Sequence, residues 1–96
     1  MSEHWFIPPS VRLQLLNWSD DADKWLCCNQ ATADLYLISP LGKLLLEQLD
    51  RTPKPIDQLY EAVCAASGES LTPELKKAVD HHLHTLGTLH LVESRA

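Results

Sequence analysis

The sequence predicts an α+β domain in which a three-stranded antiparallel sheet packs on three helices. Three observations predict it. Between residues 11 and 38, apolar and polar positions alternate with the period of half-buried strands. Beyond Ser39 the period becomes that of amphipathic helices and recurs in three separate segments. Pro40, Pro53, Pro55 and Pro73 fall at the joints between these segments, where a missing amide donor does no harm.

The elements follow in order. Val11, Leu13 and Leu15 alternate with Arg12 and Gln14, and the run continues through Leu16 to Trp18. Ser19-Asp20-Asp21-Ala22-Asp23 then supplies turn residues, whose short polar side chains bond to nearby backbone. A second strand is expected over residues 24 to 29, with Trp25 and Leu26 ahead of Cys27 and Cys28. Gln30-Ala31-Thr32-Ala33 is a second turn and Asp34-Leu35-Tyr36-Leu37-Ile38 a third strand. Short connections of this kind make an antiparallel meander.

Ser39 is an N-cap candidate followed by Pro40 at the first helical position. Leu41, Leu44, Leu45 and Leu49 make the apolar stripe of this helix, and Arg51-Thr52-Pro53-Lys54-Pro55 ends it as a turn. A second helix is expected over residues 56 to 66, with Ile56, Leu59, Tyr60 and Val63 inward and Ser67-Gly68 closing it. Thr72-Pro73-Glu74 opens the third helix with a cap, a proline and an acidic residue suited to the helix dipole. Its stripe is Leu75, Val79, Leu83 and Leu86, Gly87 is expected to end it, and residues 89 to 92 form an extended tail. The expected core is Leu13, Leu15, Trp25, Leu37, Leu41, Leu45, Leu59, Val63, Val79, Leu83 and Leu86.

A chain of 96 residues is expected to form one domain over residues 1–96, with its meander at about 11–38 and its helical part at about 40–87. Folding buries ~65% of the unfolded surface at this size, enough for one core without metals or disulfides. The net charge of −5 disfavours nucleic acid and anionic membrane surfaces as partners, since both reward basic residues. No apolar run reaches about 18 residues, and the N-terminal MSEHWFIPPS lacks the apolar stretch of a signal peptide, so a cytoplasmic location is expected. Cys27, Cys28 and Cys64 are odd in number and two are adjacent, a poor disulfide or zinc framework. They are expected to serve as small apolar side chains.

A second helix, a short connection and a longer third helix follow the order of a winged helix-turn-helix. The third helix lacks that motif's usual chemistry. Across residues 73 to 86, Lys76 and Lys77 are balanced by Glu74 and Asp80, with no arginine, asparagine or glutamine to read base edges.

The ordered features His4-Trp5-Phe6-Ile7-Pro8, Leu16-Asn17-Trp18-Ser19-Asp20-Asp21, residues 29 to 40 (NQATADLYLISP) and Leu86-Gly87-Thr88-Leu89 resemble one family. They are similar to the PqqD peptide chaperones, in the branch called the HPr-related A system, over nearly the whole chain from Trp5 to Leu91. Where that branch often carries a glycine and a threonine before the third strand, this chain has Ala33 and Leu35-Tyr36. The resemblance implies a recognition element for ribosomally made, post-translationally modified peptides (RiPPs). Such a domain is noncatalytic and needs no cofactor. It binds the leader of a precursor peptide as an added strand, between the third strand and the third helix, and presents it to a modifying enzyme. In this branch the enzyme implied is a kinase-like protein related to HPr kinase.

The residues themselves offer a matching surface. Asp34, Leu35, Tyr36, Leu37 and Ile38 form a candidate edge strand, whose unpaired backbone groups an incoming strand satisfies. Lys76, Lys77, Asp80 and Leu83 are the candidate helix residues beside it, offering a cation, an anion and an apolar contact to a partner with an acidic residue next to an aliphatic anchor. Proline at Tyr36 is expected to abolish binding by removing a backbone donor. His81, His82 and His84 crowd one helix, with His81 and His84 sharing a face, but their spacing does not match the two-histidine helix motif of zinc enzymes, and no metal is expected. Neither Cys27 nor Cys28 has the elbow or triad of a nucleophile, and the three glycines are too far apart for a phosphate loop, so no enzymatic activity is expected. Of the tryptophans, Trp18 and Trp25 are expected in the core or at its rim. The alternatives are a winged-helix transcription regulator or a protein–protein interaction module, acting as a monomer or homodimer.

Overall fold

The computed structural model describes residues 3–17 and 25–95. It is an α+β structure of two small antiparallel sheets and three helices. The larger sheet is the expected meander: β2 (Leu13–Asn17), β3 (Trp25–Asn29) and β4 (Asp34–Ile38), in the order β2-β3-β4. Leu15 stands opposite Cys27, and Cys27 opposite Tyr36, so these three share the face turned to the helices. Trp18 and the turn at residues 19 to 23 lie outside the described residues.

The second sheet is absent from the sequence reading. Its strands are β1 (His4–Phe6), β5 (Lys54–Pro55) and β6 (Glu93–Arg95), with β1 in the middle. It joins both ends of the chain to the segment between the first two helices. Residues 51 to 55 therefore do more than turn: Lys54 pairs with Trp5 and Pro55 with His4. Pro55 is tolerated because β5 is an edge strand. Strands of two or three residues carry too little periodicity to stand out in a sequence.

The helices are α1 (Pro40–Gln48), α2 (Ile56–Ser67) and α3 (Pro73–Thr88). Their expected caps form. Ser39 Oγ accepts from the Gly42 amide at 3.1 Å, and Thr72 Oγ1 from the Leu75 amide at 3.1 Å. Gly68 ends α2 in the left-handed region at φ 74°. The end of α3 differs from expectation. The helix passes through Gly87, and the left-handed residue is His90 at φ 63°. The Leu91 amide reaches back to Leu86 O at 3.0 Å and the His90 amide to Gly87 O at 3.0 Å, the paired bonds of a Schellman cap. Leu91 is buried and supplies that cap's apolar contact.

One continuous apolar cluster holds the elements together. Leu45, Leu59, Val63, Val79, Leu83 and Leu86 are buried as expected. Leu13, Leu15, Trp25 and Leu41 are half-buried at its rim. The cluster also takes Trp5, Val11, Cys27, Ile38, Leu46, Leu49, Tyr60, Leu91 and Val92. Leu37 is a correction: it is 66% exposed. Residues 35 to 38 are all apolar, so alternation alone left the parity of this strand undecided. The β3–β4 register settles it by turning Tyr36 and Ile38 inward.

Candidate functional site

Asn29 sets how β4 enters the sheet. Its Oδ1 accepts from the Ala31 amide at 3.1 Å and the Arg12 amide at 3.2 Å, and its carbonyl accepts from Thr32 and Ala33. A buried asparagine thus spends its two oxygens on the turn that launches β4 and on Arg12, just before β2. Ala33 closes the turn at φ 62°.

Backbone parity then fixes which β4 groups face outward. The Gln30 amide donates to Arg12 O, so even-numbered residues of β3 bond toward β2. The odd-numbered ones, Trp25, Cys27 and Asn29, bond toward β4, where Ile38, Tyr36 and Asp34 oppose them. Leu35 and Leu37 therefore turn their N–H and C=O groups to the open edge. This corrects the substitution expected to test that edge. Proline at Tyr36 removes a bond to β3, whereas proline at Leu35 removes an outward donor.

The sheet's outer face is apolar. Leu35, Leu37 and Leu16 are exposed there, and Leu37 stands opposite Leu26, which stands opposite Leu16. Cys28 lies on the same face opposite Leu35, while Cys27 is on the inner face, as alternation within a strand requires. Burial first, and the neighbouring Cys28 second, push the Cys27 thiol up to about 11. It is thus protonated at neutral pH, the opposite of an activated nucleophile.

Beside β4 lies a groove of about 180 Å³. Leu37 and Ile38 form its strand side, Ser39 and Gly42 its floor at the start of α1, and His81, His82, Thr85, Leu86 and Leu89 its helix side. His82, Thr85, Leu86 and Leu89 follow the i, i+3, i+4, i+7 spacing of one helix face, a signal present in the sequence. His82 packs against Gly42, where an added Cβ would lie 4.0 Å from its ring carbon. The His82 Nδ1 sits 2.7 Å from Ala78 O. A carbonyl can only accept, so Nδ1 carries the proton and Nε2 is the ring's second polar atom.

The other helix residues named from the sequence lie away from this groove. Asp80 accepts from the Tyr60 hydroxyl at 2.6 Å, and the Lys76 ammonium lies 5.7 Å from the centre of the Tyr60 ring. Both therefore belong to the α2–α3 contact. Leu83 is fully buried and Lys77 is exposed. The histidine cluster divides as well. His81 and His82 meet edge to face at 5.9 Å, while His84 turns to Trp5 at 5.7 Å. Among the described residues no three His, Cys, Asp or Glu side chains come together as a metal site. The same residues include no helix long and apolar enough to cross a membrane.

Fold and site together define a small α+β structure in which a groove lies alongside the β4 edge of the meander sheet. The chain matched no family model, no curated protein and no solved structure with which it was compared.

Proposed function

We propose that this chain is a noncatalytic peptide-binding adaptor, a RiPP recognition element of PqqD type. On this reading it takes a precursor's leader as a fourth strand on β4 and presents it to a modifying enzyme, a kinase-like protein related to HPr kinase. The meander and the α2–α3 pair then correspond to the wing and helices of a winged helix. The reading is supported chiefly by one observation: Leu35 and Leu37 direct unpaired backbone groups to an edge that runs beside the α3 groove. Strand addition takes its affinity from main-chain bonds along such an edge and its selectivity from pockets beside it.

The test begins with capture from native lysate and mass spectrometry, to identify the peptide and the enzyme. Titrating the isotope-labelled chain with that peptide is expected to shift amides in Asp34–Ile38 and on the groove side of α3. Leu35→Pro is expected to abolish binding while leaving the β3–β4 bonds in place. Shifts confined to residues 41–49 or to His4–Phe6 would overturn the site.

A further inference from the structure

The groove has a polarity that main-chain pairing does not explain. Of the nine residues lining it, the two with basic side chains are His81 and His82, and none is acidic. Of the other charged and titratable groups on the surrounding elements, His90 follows the groove residue Leu89 and is exposed, and most of the rest are engaged elsewhere. On α3, Asp80 is bonded to Tyr60, His84 lies against Trp5, and Lys77 stands one turn before His81 on the exposed surface. On α1, Lys43 pairs with Glu47 at 3.1 Å and lies 4.2 Å from the Trp25 ring centre. On β4, Asp34 opposes Asn29 at the far end of the strand, and Tyr36 faces inward opposite Cys27.

The bond to Ala78 O gives His82 a defined chemistry. With Nδ1 committed as a donor, neutral His82 offers Nε2 only as an acceptor, which a carboxylate cannot use. Protonation turns Nε2 into a donor and adds charge. Imidazole is the side chain whose unperturbed form makes this change between about pH 5 and 8. His81, edge to face with His82 at the same rim, brings a second imidazole to the groove. The apolar part of the groove, Leu37, Ile38, Leu86 and Leu89, lies beside them.

We infer that the groove selects a strand carrying an acidic side chain beside an aliphatic one, and does so only while its histidines are protonated. This rests on the strand-addition reading and specifies its ligand. The net charge of −5 does not oppose the selection, because exposed charges beyond about 8 Å are largely screened at physiological salt whereas a groove contact is not.

The probes are three blocked peptides, Thr-Val-Thr-Leu-Glu-Val-Thr and its Gln and Lys counterparts at the fifth position. They are titrated into the isotope-labelled full chain at pH 5.5 and pH 8. The Glu peptide is expected to bind about fivefold more tightly than the Gln peptide at pH 5.5, with the Lys peptide weakest and the Glu advantage lost at pH 8. His81→Gln with His82→Gln is expected to remove the Glu-over-Gln advantage at pH 5.5. His81→Lys, a permanent cation, is expected to restore the advantage at pH 8. Equal binding of the Glu and Gln peptides at both pH values, with β4 amides shifting in each titration, overturns the acidic selection and leaves strand addition standing. If no peptide shifts the β4 amides, strand addition itself fails.

Discussion

Tyr60 shows how burial and one hydrogen bond can make stability depend on pH. Burial first, and then the bond to Asp80, push its phenol up to about 12. An unfolded tyrosine titrates near 10. The folded state thus holds this proton more tightly, so the stability gained is complete below about pH 10 and is lost as pH rises through about 12. Urea unfolding between pH 9 and 12 is expected to show this loss, and Tyr60→Phe is expected to remove Tyr60's share of it. Leu37 and Leu83 test the face assignment in the same assay. Leu83→Ala is expected to cost about 2–5 kcal/mol, because it empties a fully buried site. Leu37→Ala is expected to stay within about 0.5 kcal/mol, as for other surface changes.

At the scale of elements, the caps decide where helices stop. Gly68 takes the left-handed position after α2, where a missing Cβ makes it easy. The corresponding position after α3 is His90, which carries a Cβ into the same region. His90→Gly is therefore expected to raise stability by about 1 kcal/mol, read from the urea midpoint at unchanged m. The expected glycine stop failed for a related reason. Gly87 occupies the last turn, where an added Cβ would meet only Trp5 and Val92 O, each at 3.8 Å. Nothing there requires glycine, and the helix does not end on it.

At the scale of the molecule, the N-terminal segment is held by Arg51. Its guanidinium donates to Pro8 O, to Val11 O at 2.7 Å and to Ile7 O at 3.3 Å, and the Ile7 amide donates to Asp50 O at 2.8 Å. These bonds place Trp5 and Phe6 so that β1 can pair with β5 on one side and β6 on the other. Arg51→Ala is expected to cost about 2 kcal/mol, since it leaves several carbonyls without their charged donor. The accompanying amide exchange is expected to rise in His4–Phe6 and Glu93–Arg95 and to stay unchanged in β2, β3 and β4.

Local chemistry made much of this legible. Ser39-Pro40 and Thr72-Pro73 mark helix starts by themselves, because capping needs only a short polar side chain and a residue with no amide to spare. Asp34–Ile38 is legible as a strand from its residue types and its flanking turn. The helix stripes through Leu45, Leu59, Val63, Val79, Leu83 and Leu86 are legible because 3.6-residue spacing survives in the sequence. Which side of β4 faces inward was not, since a run of four apolar residues fits either parity and only pairing with Cys27 and Trp25 chooses. The second sheet was not, since its short strands are stable only when tied across the chain by Arg51 and the core. The groove was not, since His81 and His82 become its rim only when α3 is laid beside β4, while the same packing turns Lys76 and Asp80 to Tyr60. Helices and strands of the main body can be placed from the chain because their signals are local, whereas the faces that meet depend on contacts between residues distant in the chain.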